Sequence, residues 1–180
     1  MRIDPLHYEG EEMRTTGPTD GIQNAPALPD YFCERRWLND HWHLPLHSAC
    51  FLLDFWVKAC DTGGGALEIL FIDQVRRTRI CLDISQKRVY IARAIGNGTE
   101  EATQAALPMP WDSAVFHHIL IQKAASQGTL YLDEEKCMDF DCGDHDVETE
   151  ICARGDGFEI LGLTGQNGIR DDSGFDDKNL

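Results

Sequence analysis

Between residues 115 and 140 the chain reads Val-Phe-His-His-Ile-Leu-Ile-Gln-Lys, Ala-Ala-Ser-Gln-Gly, Thr-Leu-Tyr-Leu-Asp and Glu-Glu-Lys-Cys-Met-Asp-Phe. No other stretch narrows the choice of fold so far. Residues 116–122 and 129–133 are dense in the β-branched, aromatic and aliphatic side chains that suit a pleated surface, and a polar break containing glycine separates them, which predicts a hairpin. A second turn at Glu134 and Glu135 leads into a third short strand. Three neighbouring strands therefore follow one another without a long connection, as an antiparallel meander.

The remaining segments extend the pattern. Residues 31–37 predict a short strand, and Pro45 confines residues 41–47 to a sheet edge or a loop. Residues 48–58 are apolar at nearly every position, as expected of a strand covered on both faces; Asp54 would then need a partner inside. Residues 66–73, 76–84 and 88–94 give three more strands at short spacing. The connection over residues 95–109 has room for one helical turn at 100–106, where Glu, Ala and Gln favour helix, before Pro108 and Pro110 end it. Strands are expected again at 149–153 and 157–164. With eight or nine short strands and no long amphipathic helix, the fold class is all-β, an antiparallel two-sheet β-sandwich with Phe55, Leu70, Ile80, Ile119 and Leu130 inside.

Residues 1–30 hold four of the seven prolines and read as an irregular lead-in; residues 31–164 form the sandwich; residues 165–180, rich in Gly, Asp and Asn, read as a disordered acidic tail. The balance of 16 basic and 31 acidic residues gives a formal charge of -15, which repels nucleic acid and anionic lipid. No window is long and apolar enough to span a membrane, and the N-terminus lacks a secretory core, so the chain as written is expected to be soluble and cytoplasmic. Seven cysteines, several of them within apolar runs, read as reduced buried groups, and Asn97-Gly-Thr reads as a turn.

The order of signals over residues 49–140 resembles the concanavalin-like and laminin-G-like jelly-roll family. It runs from Asp54-Phe-Trp-Val-Lys through Arg88-Val-Tyr-Ile-Ala-Arg and Trp111 to Phe116-His-His-Ile-Leu-Ile and Gly128-Thr-Leu-Tyr-Leu-Asp. That family runs from a "Phe-Trp-Val" strand to a "Trp-His" strand and a "Leu-Tyr-Leu-Asp-Gly" hairpin. Here four residues separate Trp111 from Phe116, and Glu134 stands in place of the glycine. Leu82-Asp-Ile-Ser-Gln-Lys-Arg-Val-Tyr-Ile-Ala-Arg is similar to a segment of the β-sandwich that follows the catalytic propeller in invertase and levanase-type glycoside hydrolases. Both resemblances imply carbohydrate as the partner, and the second implies an accessory module beside a catalytic domain or chain.

No catalytic residue is assigned. Trp37-Leu-Asn-Asp is similar to the start of that propeller's nucleophile motif, but the match ends at His41, and retaining hydrolysis needs a second carboxylate about 5 Å away. Asp40 is therefore read as part of an Asn-Asp turn. Glu68 with Asp73, and Asp139 with Asp141, are the nearest approaches to a catalytic pair and keep a glycoside hydrolase as the alternative function, with a structural interaction module third. A sugar ring presents an apolar face that stacks on an aromatic side chain, which makes Trp42, Trp111, Trp37 and Tyr90 the candidate platforms, while Trp56 is assigned to the core. Asp139, Asp141, Asp144 and Asp146 form an oxygen-rich loop suited to calcium, a metal that concanavalin-like domains often bind. His41, His43 and His47 offer zinc ligands, whereas Cys137, Cys142 and His145 match no zinc spacing.

Overall fold

The computed structural model describes residues 6–9, 12–15, 28–60, 65–96, 101–106, 111–112, 114–155 and 157–168. Its strands are β1 (Leu6–Glu9), β2 (Glu12–Thr15), β3 (Tyr31–Leu38), β4 (His41–Ser48), β5 (Phe51–Ala59), β6 (Gly65–Ile72) and β7 (Arg76–Asp83), followed by β8 (Arg88–Ile95), β9 (Glu101–Ala106), β10 (His117–Ala124), β11 (Gln127–Leu132), β12 (Glu135–Asp141), β13 (Val147–Gly155) and β14 (Phe158–Asn167). There is no helix among the described residues. Strands β1 and β2 pair as a hairpin; the others form two six-stranded antiparallel sheets. The first sheet has the order β12-β11-β10-β5-β14-β3 and the second β4-β13-β6-β7-β8-β9.

The meander lies where the sequence places it, along one side of the first sheet. Ile119 faces Phe55 on β5 and Leu132 on β11, so one row of apolar side chains crosses several strands. The two inner faces meet in a single core, with Phe55, Ile119, Leu130 and Ile160 from the first sheet and Ile69, Phe71, Ile80, Val89 and Ile151 from the second. The ring of Phe71 lies 5.4 Å from that of Phe51 and 5.9 Å from that of Phe140. Phe140 in turn lies over Gly128, where an added Cβ would collide with the ring. Glycine is required there by close approach rather than by backbone angle.

One charge belongs to the inner row. Lys123 is fully buried, and its Nζ donates to the carbonyls of Ala49 at 2.6 Å, Ala125 at 2.7 Å and His145 at 3.3 Å. Three donors meet three acceptors, which is how an ammonium is accommodated away from water. The side chain ties together three loops at one end of the sandwich.

Several expectations are corrected. Residues 101–106 form β9, paired along the open edge of β8, because edge hydrogen bonding outweighs a weak helix propensity. The lead-in contains the β1-β2 hairpin, and β14 runs on to Asn167, beyond the expected boundary at 164. Residues 1–5, 10–11, 16–27 and 169–180 lie outside the described residues, as do Asn97, Pro108 and Pro110. The strand over residues 51–59 is covered on one face only: Phe51, Leu53, Phe55 and Val57 point inward while Asp54, Trp56 and Lys58 point outward. Leu70 is buried but lies on the outer row of β6, opposite Arg79 and Glu150, rather than in the core. As expected, β4 is an edge strand, with a shift of register against β13 beside Pro45, as a proline without an N–H demands. All seven cysteines are free.

Candidate functional site

The outer face of the first sheet carries the densest combination of exposed aromatic and polar side chains. Directly opposed residues on neighbouring strands share a face. Trp37 on β3 opposes Glu159 on β14, which opposes Lys58 on β5. In the adjacent row Arg35, Leu161, Trp56 and His118 oppose one another across β3, β14, β5 and β10. Trp37 is 57% exposed and Trp56 42%. Both tryptophans therefore stand on one surface, separated by β14.

Between them lies an ionic group. Glu159 is 2% exposed, covered by Arg35, whose guanidinium pairs with one carboxylate oxygen, and by Lys58, whose Nζ lies 3.2 Å from the other. Burial raises the pKa of Glu159, but the hydrogen bonds from Lys58 and Arg35 outweigh it and hold the carboxyl below the ordinary glutamate range. The same cations serve the aromatics, with Arg35 5.5 Å from the centroid of the Trp37 ring and Lys58 4.8 Å from that of Phe116. Trp56 stacks on His118 at 4.8 Å, and Nε2 of His118 lies 2.9 Å from Asp54 Oδ1. Each polar head is thus fixed by a neighbour, and the rings keep exposed surface.

The four expected platforms do not converge. Trp37 belongs to this face. Trp42 does not present a ring to solvent: it is 5% exposed, packed in the core edge-on to Tyr31 and capped by Arg36 at 4.5 Å, because alternation along β4 turns positions 42, 44 and 46 inward. Trp111 is half-buried against the core, stacked on His117 at 4.0 Å. Both ring nitrogens of His117 face acceptors, Asp133 Oδ2 at 2.7 Å and the Asp112 carbonyl at 3.0 Å. Tyr90 lies on the outer face of the second sheet, where a hydrogen bond to Cys81, aided by burial, pushes its pKa up to about 12. Trp56, assigned to the core by sequence, is the residue that joins Trp37. The signal for it was the shared parity of Asp54, Trp56 and Lys58.

The outer face of the second sheet is ionic. Glu68 is buried beneath Arg79 at 3.4 Å and Arg154 at 3.0 Å, and Arg79 lies 5.9 Å from the Tyr90 ring centroid. At its β4 edge His41, His43, Glu150 and Cys152 come together, with His43 Nδ1 3.2 Å from Glu150 Oε1. Burial, reinforced by the charges of Glu150 and Glu68, pushes the Cys152 thiol up to about 11.

The aspartate loop does not close into an oxygen cage. Asp139 pairs with Lys136 at 2.7 Å and accepts from Thr129 at 2.8 Å, and these two hydrogen bonds lower its pKa. Asp141 pairs with Arg93 at 2.8 Å, Asp144 lies 3.5 Å from His145, and Asp146 lies 3.8 Å from His47. Among the described residues only His41, Glu150 and Cys152 gather three metal-ligating side chains, so His47 and the trio Cys137, Cys142 and His145 stand apart. His47, Asp73, His145 and Asp146 border an open cleft of about 570 Å³. Asp73 caps its own turn, with Oδ1 accepting from the Val75 N–H at 2.7 Å, and so does not join Glu68. Asp40 sits in the turn between β3 and β4, as the Asn-Asp reading expects.

No family model matches the chain, and no curated protein does. Solved structures do match. Galectin LEC-6 of Caenorhabditis elegans superposes with a TM-score of 0.62 at 11% identity, covering 76% of this chain and 96% of that one. The carbohydrate binding module CBM66 from Bacillus subtilis gives 0.57 at 13% identity, over 76% and 91%. The fructosyltransferase from A. japonicus gives 0.60 at 11% identity, over 78% of this chain but 26% of that enzyme. At these identities the likeness is one of architecture, and it agrees with the strand order: the chain is a concanavalin-like jelly-roll β-sandwich.

Proposed function

We propose that the protein is a carbohydrate-binding module whose site is the outer face of the first sheet. The observation that carries this reading is the pair of exposed tryptophans, Trp37 and Trp56, set on either side of the Arg35-Glu159-Lys58 group. Two strand spacings and one two-residue step place their Cα atoms about 12 Å apart, farther than one sugar ring reaches. The ligand class is therefore a neutral oligosaccharide, stacking on the rings and accepting hydrogen bonds from Arg35 and Lys58, which the buried Glu159 holds in place. A net charge of -15 disfavours acidic glycans.

Binding without cleavage is favoured by the electrostatics of this face. A glycosidase acid needs a raised pKa, whereas Glu159 is held down by two cations. An accessory role beside a catalytic chain is the second reading, favoured by the match to about a quarter of the fructosyltransferase. Screening the purified chain against neutral oligosaccharides tests the proposal. Binding should quench tryptophan fluorescence and weaken at least about tenfold in Trp37→Ala and in Trp56→Ala, the loss of about 1.4 kcal/mol of stacking. Unchanged affinity in both variants, or release of reducing sugar that Glu159→Gln abolishes, overturns it.

A further inference from the structure

The second sheet carries a different chemistry at its β4 edge. His41 opposes Cys152, and two residues along His43 opposes Glu150, so a His-x-His strand and a Glu-x-Cys strand project four ligand-type side chains from one outer surface in register. His41 Nδ1 lies 3.0 Å from Cys152 Sγ and 3.8 Å from the nearer Glu150 oxygen, and the ligand atoms of these three residues all fall within 4.8 Å of one another. We propose that His41, Cys152 and Glu150 bind a zinc-class divalent metal ion.

The donor set fits that class. Thiolate, imidazole and carboxylate together suit zinc, whereas calcium and magnesium take oxygen alone. Zinc bond lengths at a tetrahedral angle require ligand atoms about 3.3–3.6 Å apart. The 3.0 and 3.8 Å that His41 makes to Cys152 and Glu150 bracket that range, and the third pair lies within 4.8 Å, so rotation of the side chains brings the donors onto one ion. The supporting contacts are present as well. Asp40 Oδ1 lies 3.7 Å from Nε2 of His41, on the side of the ring away from the thiol, and His43 lies 3.2 Å from the second oxygen of Glu150. The His43 contact orients the ligating carboxylate, while Asp40, beyond hydrogen-bond distance, adds a negative charge beside the imidazole. Cys152 lies beneath the others and His41 is exposed, so the ion enters from solvent and keeps an outward fourth position for water. As it enters, the thiol proton leaves to solvent and the sulfur becomes the negative ligand.

The site uses no residue of the tryptophan face, so each proposal stands or falls alone. Titration of the chelator-treated full chain with cobalt(II), a spectroscopic stand-in for zinc, tests it. One equivalent should give a thiolate-to-cobalt charge-transfer band that zinc then removes. Cys152→Ser and His41→Gln should each abolish the band, while His47→Gln on the same strand and Cys81→Ser on the same face should leave it intact. His41 is exposed, so its variant keeps the test valid even where Cys152→Ser disturbs packing. The absence of a band at stoichiometric cobalt, or its survival in either ligand variant, overturns the proposal.

Discussion

Phe55 and Trp56 are adjacent in sequence and opposite in role. Phe55 is wholly buried between the sheets, whereas Trp56 stands on the outer face with much of its ring in solvent. The same backbone alternation that buries one presents the other, so in a sandwich of this kind stability and recognition are carried by alternate residues of one strand. Truncation should separate them most sharply. Phe55→Ala should cost about 3–5 kcal/mol of unfolding free energy, through lost burial and the cavity left behind. Trp56→Ala should cost about 1 kcal/mol or less while weakening sugar binding. Chemical denaturation of both variants checks the contrast, and equal losses would break it.

Lys123 sharpens the comparison because it is a charge on the inner row. Its three carbonyl partners would be left without a donor by Lys123→Met, a change that preserves apolar volume. The expected loss is about 3 kcal/mol, since stranded buried acceptors outweigh the relief of desolvation. A variant as stable as the parent would mean that packing alone secures this end of the sandwich.

Glu159 supplies the smallest and most pH-dependent effect. Its folded pKa is lowered, so its contribution is fully present above the unfolded value and disappears as pH falls through the folded one. Arg35, one of its two partners, is largely exposed, which limits that contribution to about 1 kcal/mol or less. Glu159→Gln should therefore be slightly less stable than the parent at neutral pH, and the two denaturation midpoints should approach each other in acid. Midpoints that diverge in acid would reverse the sign of the argument.

Much of this fold is legible in the sequence because period-two alternation and short turns are local signals. The meander over residues 115–140 lies in the sequence as a continuous pattern, and its three strands are adjacent in space. The second hairpin turns one residue earlier than its pair of glutamates suggests: Asp133 and Glu134, with φ of 48° and 69°, make the two-residue turn, and Glu135 opens β12. Positive φ at both positions explains why a glycine is expected there in related patterns. β9 is not legible locally because its Glu, Ala and Gln carry helix propensity and only pairing with β8 makes them a strand.

The site was less legible, because it depends on which strands become neighbours. Trp37 and Glu159 are far apart in the sequence and face each other only because β14 inserts between β3 and β5. His41 and Cys152 meet in the same long-range way across β4 and β13. Trp56 was within reach, since Asp54 and Lys58 share its parity, but the unbroken apolar run around it hid the alternation.

The indole N–H resonances of the four tryptophans test the central claim most directly, because each reports a different place in the fold. On titration with a bound neutral oligosaccharide, the signals of Trp37 and Trp56 should shift together and saturate with one dissociation constant, while that of Trp42 in the core stays fixed. Binding with the Trp37 and Trp56 signals unmoved would contradict the account.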